Sequence, residues 1–268
     1  MNTLYSLVLS SEDIWEPDFE GVFLRSNSRL FFAHRRGKSI VFSAIEERKA
    51  EAKVVETTGT DLPANWLIVN NGTLLMYSEH CCIDLNTMQS FVVKDEHLHH
   101  EYLKNSVLRG LHLIYDTFVF GEYQISHYKE CGLKCEKTSK QIWKANCRGY
   151  LYTDIILYND CILFGTAGMG GHFYVIKLSN GEIKCDINTR GTGSFIVSND
   201  KVYLLSREEK SKILKLSADT WNILDEIVIP GKVSSCSRLA MECDRLYAVS
   251  FLYKSKLPRQ AIMNVIMI

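Results

Sequence analysis

The sequence predicts an all-β fold, a single six-bladed β-propeller of four-stranded antiparallel blades, with seven blades as the alternative count. A turn followed by an apolar run recurs six times, and its anchor residues Leu30, Leu74, Phe118, Ile162, Val202 and Leu246 are spaced by 44, 44, 44, 40 and 44 residues. A fixed period of this size is the signature of a repeat architecture. Strand-like runs flank each turn, and four short strands per ~40–45 residues make a propeller blade. Three of the 4 prolines, Pro17, Pro63 and Pro230, fall between repeats, where a missing N–H breaks no ladder. Only Pro258 falls inside one, in the hairpin between strands two and three of the last repeat.

The elements follow in order. Asn27-Ser28, Asn71-Gly72, Asp116-Thr117, Asn159-Asp160, Asn199-Asp200 and Cys243-Asp244 read as the tight turns between strands one and two. First strands are expected at Val22–Arg25, Trp66–Val69, Leu111–Ile114, Ile155–Leu157, Phe195–Val197 and Leu239–Met241. Third strands are clearest at Tyr174–Leu178 and Ile213–Leu216, with fourth strands at Ile183–Ile187 and Ile223–Ile229. The repeat units are expected at approximately 20–58, 64–96, 106–146, 148–188, 191–229 and 233–268. The last holds only three strands. The spare strand Leu4–Ser10 supplies its fourth, which closes the ring and removes an open edge.

The repeat unit Tyr174-Val-Ile-Lys-Leu-Ser-Asn-Gly-Glu-Ile-Lys resembles those of quinoprotein-like propellers. The likeness covers the strand pattern of all six repeats and is loose in identity. The Trp-Asp dipeptide of tryptophan-aspartate repeats is absent, as is the aspartate box of sialidases. The double glycine of Kelch repeats occurs once, at Gly170-Gly171, out of place.

Composition excludes several functions. Lys plus Arg and Asp plus Glu are each 31, so the chain is neutral overall, unlike a general nucleic-acid binder. No apolar run reaches the ~18 residues that span a bilayer, and the start carries no secretory signal. Nine cysteines, an odd number, read as reduced thiols in a cytoplasmic protein. No cofactor is implied and no nucleic-acid or membrane partner is expected.

In such a disc the hairpins joining strands two and three share one face with the links between blades. Arg35, Arg36 and Lys38 lie there, as do Met169 and His172. So do Arg207, Glu208 and Glu209, and Lys254 and Lys256. Exposed loops on a rigid scaffold are where binding usually resides, so these are the expected partner contacts. The repeat register aligns two adjacent rings at the channel mouth, one holding Asn65 and Arg109 and the other Asp154, Ser194 and Arg238, and alternation turns only one of them inward. They offer neither the oxygen cluster of a calcium-dependent lactonase nor a sialidase's arginine triad.

Metal binding is weighed at two places. His127, Cys131, Cys135 and Cys147 have the donor chemistry of a structural zinc set, but their spacing lacks the usual paired-cysteine pattern. They read as a hairpin with ordinary thiols. His97, His99 and His100 read as a solvated link. The glycine-rich Gly165–Gly171 precedes a strand rather than a helix, so it is a blade hairpin and not a phosphate loop. The expected function is a non-catalytic protein-interaction module, a dedicated binder or inhibitor such as a bacterial toxin-immunity protein. The alternative is a quinoprotein-like or lactonase-like enzyme with a small ligand over the channel, tested at Arg109, Asp154 and Arg238.

Overall fold

A computed structural model describes residues 1–9, 24–26, 29–36, 39–48, 51–61, 67–70, 74–78, 81–84, 89–92, 106–108, 117–127, 132–153, 155–168, 170–191, 193–233, 237, 239–253 and 259–268. The described strands assemble into six antiparallel sheets, four with four strands and two with a fifth. Sheet one is Leu24–Ser26, Arg29–Arg36, Ser39–Arg48 and Glu51–Asp61, in spatial order. Sheet two runs Leu67–Asn70, Leu74–Ser78, Cys81–Asp84 and Gln89–Val92, with Ser106–Leu108 beside its first strand. Sheet three is Phe118–Phe120, Tyr123–His127, Gly132–Lys137 and Lys140–Asn146.

Sheet four is Ile156–Tyr158, Cys161–Ala167, His172–Lys177 and Ile183–Asn188, and Tyr150–Leu151 pairs with the far end of its second strand. Sheet five is Phe195–Ser198, Lys201–Ser206, Lys212–Ser217 and Ile223–Val228. Sheet six is Leu239–Glu242, Arg245–Tyr253 and Arg259–Met267, followed by the N-terminal strand Asn2–Val8. That last pairing runs from Asn2↔Met267 to Val8↔Ile262.

The turns obey the expected chemistry where they are described. Asn159, Asn199, Asp200 and Cys243 all take positive φ, between 48° and 55°. Tight hairpin turns demand this, and Asn and Asp tolerate it.

Sheet three departs from the expected register. Asp116-Thr117 does not precede the second strand. Phe118–Phe120 is the first strand, and it pairs with Tyr123–His127 across Gly121-Glu122. Gly121 has φ +60°, which a two-residue turn accepts readily from glycine. The pattern of small residue then apolar run matched one strand too early there. Ser106–Leu108, expected to open the third repeat, instead pairs with Leu67–Asn70 in sheet two.

Side chains alternate between the two faces of sheets four, five and six, and both faces of these sheets are buried. Ile162 and Phe164 of sheet four pack with Ile125, Cys135 and Trp143 of sheet three. Their neighbours Cys161 and Leu163 turn the other way, onto Val202, Leu204 and Leu214 of sheet five. Tyr203 and Leu205 then meet Leu246 and Ala248 of sheet six. Tyr247, Val249 and Phe251 turn from sheet six toward Ile45 of sheet one. Period-two alternation in strands that read as continuous apolar runs thus stacks sheets three, four, five, six and one in series. Each fully buried Phe or Leu contributes roughly 1.5–3 kcal/mol of transfer free energy.

Candidate functional site: the face of hairpins and links

Antiparallel order brings the hairpins between strands two and three to the same end of the sheets as the inter-sheet links. The best described part of this face lies over sheets four, five and six. Hydroxyl residues stand at equivalent positions, four residues after the anchors, and two of them hold links. Thr166 Oγ1 donates to Arg148 O at 2.6 Å and accepts from His172 N at 2.9 Å. Ser250 Oγ donates to Pro230 O at 2.5 Å and accepts from Asn264 Nδ2 at 2.8 Å. Ser206, the third of the set, is buried with no hydrogen-bond partner on its hydroxyl.

The link between sheets four and five is shorter than the one between sheets five and six, which accounts for the spacing of 40 from Ile162 to Val202 against 44 from Val202 to Leu246. It lies directly on the ends of sheet four. Thr189 N, Arg190 N and Thr189 Oγ1 all donate to Gly171 O, at 2.9, 3.1 and 2.8 Å. A Cβ on Gly165 would stand 2.2 Å from Gly193 O, so only glycine permits this approach.

The expected partner contacts fall as follows. His172 is only 4% exposed. Its Nδ1 bonds the carboxylate of Asp186, and its ring stacks on Tyr174 with centroids 5.5 Å apart. It begins the third strand of its sheet and supports the loop from beneath, which corrects its expected place on the surface. Arg207 is half-buried, and Glu208 and Glu209 are exposed. Glu208 ion-pairs with Lys212 at 3.2 Å, and Lys212 also meets Glu226 at 3.1 Å. Donating hydrogen bonds to Glu226 and to Glu208 holds the Lys212 pKa above its ordinary value. Arg35 and Arg36 end the second strand of sheet one. Lys38, Met169, Lys254 and Lys256 lie outside the described residues.

At the expected channel mouth, Asn65, Arg109, Asp154 and Arg238 lie outside the described residues. Ser194 is buried, and its hydroxyl accepts from Leu239 N at 3.1 Å, so it ties sheet five to sheet six.

Of the four donors weighed for metal, His127, Cys135 and Cys147 are among the described residues. Cys135 lies opposite Ile125, not His127, and both Cys135 and Cys147 pack in the apolar seam between sheets three and four. Burial pushes the Cys135 thiol up to about 11, with the charge of Glu136 adding to the shift. Cys131 lies outside the described residues. Among the described residues no group of three or more His, Cys, Asp or Glu is placed to hold a metal ion. The histidines at 97, 99 and 100 also lie outside the described residues.

Reading residue patterns alone missed the hydroxyl latches and the taut link. Thr166 and Ser250 share one offset from their anchors, and the spacing of 40 from Ile162 to Val202 marked the short link. Both signals were present, but single hydroxyls in strands carry little weight until burial is known.

No protein-family model matches the chain, and no curated protein matches it. Among solved structures, it is similar to BamB from Moraxella catarrhalis, with a TM-score of 0.51 and 12% identity over 99% of both chains. It is also similar to the computationally designed Ika8 protein, at a TM-score of 0.46 and 9% identity over 94% of this chain and 98% of that one. BamB is a β-propeller, and the all-β sheets agree with it. The chain has a β-propeller fold and no assigned family.

Proposed function

We propose that the chain is a non-catalytic protein-interaction module that binds its partner through the face of hairpins and links. The observation that carries this reading is how that face is built. Three of its buried hydroxyls fix the backbone: Thr166 donates to Arg148 O, Ser250 donates to Pro230 O, and Ser194 accepts from Leu239 N. Among the described residues its exposed charged side chains include Arg148, Arg190, Lys210 and Lys232, beside Glu208 and Glu209. A rigid rim with outward charges suits recognition of another macromolecule.

The proposal takes the six sheets as six blades of one domain spanning residues 1–268. The pairing of Asn2–Val8 with Arg259–Met267 is what would close that ring. Ile45 buried against sheet six supports the same closure, since it joins the chain's beginning to its end. A cytoplasmic location is part of the proposal. It is supported by Cys135, Cys147, Cys161, Cys185 and Cys243 standing as free thiols. Among the described residues no helix is long and apolar enough to cross a membrane. A dedicated inhibitor, such as an immunity protein against a toxin, is the specific role proposed.

The test is affinity purification from the native host, followed by titration of the captured protein by calorimetry. A saturable 1:1 complex that inhibits the partner's activity supports the reading. Turnover of a small substrate by the purified chain, with no partner recovered, would overturn it.

A further inference from the structure

Two adjacent links carry the same dipeptide, Arg148-Gly149 and Arg190-Gly191, each directly after the residue that follows the fourth strand. The next link has Pro230-Gly231-Lys232 at that place. Arg148 and Arg190 flank the hairpin of sheet four. Arg148 N donates to the Tyr174 hydroxyl at 2.8 Å, and Arg190 N donates to Gly171 O and to Asn188 Oδ1. Both backbones are therefore fixed while both residues are exposed. Arg207 joins them: a Cβ on Gly191 would lie 3.2 Å from Arg207 Cβ. Among the described residues none of these three guanidinium groups forms an ion pair.

Arg190 also has φ +51°. In the neighbouring links a glycine takes the left-handed conformation, Gly149 at +76° and Gly231 at +77°. Here Gly191 is adjacent, yet the arginine bears the unfavourable backbone. A non-glycine residue held in that region is a strained position, and such positions concentrate where a side chain is needed.

We infer that Arg148, Arg190 and Arg207 form a recognition arc for the carboxylates of an acidic protein segment. The inference deepens the interaction reading and rests on it. Guanidinium forks match carboxylates in charge and geometry. The exposed Glu208 and Glu209 next to Arg207 break the basic surface. That interruption disfavours a continuous phosphate backbone, which needs an unbroken basic footprint. Discrete carboxylates can seat on separate arginines.

The probe is a fluorescein-labelled glutamate decamer, followed by anisotropy at low and at physiological salt. The comparators are a thymidine decamer and an anionic-lipid vesicle. The wild type is expected to bind the glutamate peptide best, with affinity falling as salt rises. Arg148→Gln and Arg207→Gln should each weaken it about tenfold, the scale of a charged hydrogen bond. Arg190→Gly is the sharper variant: it relieves the backbone, so the melting temperature should rise while affinity drops about tenfold. A merely structural Arg190 would move stability alone. No binding of the glutamate peptide, unchanged affinity in Arg190→Gly, or tighter binding of the oligonucleotide or vesicle would each overturn the inference. If the host partner is captured equally by wild type and the triple glutamine variant, the arc fails while the interaction reading stands.

Discussion

Gly171→Ala tests the taut link between sheets four and five. A Cβ at Gly171 would stand 2.0 Å from Gly191 O and 2.8 Å from Thr166 O, both backbone atoms. Neither can be accommodated by a rotamer change, so the link must retreat by about 1 Å from a close-packed surface. The three hydrogen bonds that Gly171 O accepts, from Thr189 N, Arg190 N and Thr189 Oγ1, go with it. Each contributes about 1 kcal/mol net, and the overpacking adds about 1–3 kcal/mol. Partial recovery through local relaxation leaves an expected loss of about 3–5 kcal/mol. At this chain length that lowers the melting temperature by roughly 10 °C. Urea unfolding followed by tryptophan fluorescence measures it. Gly121→Ala is the control: Gly121 has φ +60° but nothing within 4 Å of its would-be Cβ. It should lose only about 1–2 kcal/mol, the cost of a left-handed alanine. Gly171→Ala no more destabilised than Gly121→Ala would refute the packing reasoning.

Three further outcomes are expected. Removing residues 1–9 deletes the pairing to Arg259–Met267, the Ser6 Oγ bond to Asn264 Oδ1 at 2.8 Å and the buried Leu9. The bared edge should then associate, visible as oligomers in light scattering, whereas a monomer with wild-type melting would contradict the pairing. Burial lowers the His127 pKa from its ordinary 6.5. Below that pH the unfolded chain binds the proton more readily than the folded one, so stability falls as pH drops through about 6.5 toward the lower folded value. Urea midpoints at several pH values should show that slope reduced in His127→Gln, and identical slopes would count against it. Burial also pushes the Cys135, Cys161 and Cys185 thiols up to about 11. Among the described cysteines, exposed Cys243 should therefore react first with a disulfide reagent at pH 8, with mass spectrometry reading the order.

The legible part of the fold follows from which residues do two jobs at once. Asn159-Asp160 and Asn199-Asp200 are both turn formers and period markers, so sheets four and five could be placed closely from sequence. Sheet three was misplaced because Asp116-Thr117 mimics that signal, while its real turn uses Gly121-Glu122. The fifth strand of sheet two, Ser106–Leu108, follows from pairing at an open edge, which no local pattern encodes. The candidate site was legible as a set of loops but not as side chains. His172 looks like a loop residue in sequence, and only the pairing of His172 with Asn188 shows that it opens a buried strand. The strain at Arg190 is invisible in sequence, because a following Gly191 suggests that the glycine bears it.

The central claim is that one ring of sheets is closed by the two ends of the chain. The most direct measurement is a nuclear Overhauser spectrum of deuterated, amide-protonated protein, searched for cross-peaks between residues 2–8 and 259–267. The account predicts antiparallel contacts in the register Ser6↔Asn264 and Leu7↔Met263. A mobile N-terminus without such contacts, or one paired to another sheet, would contradict it.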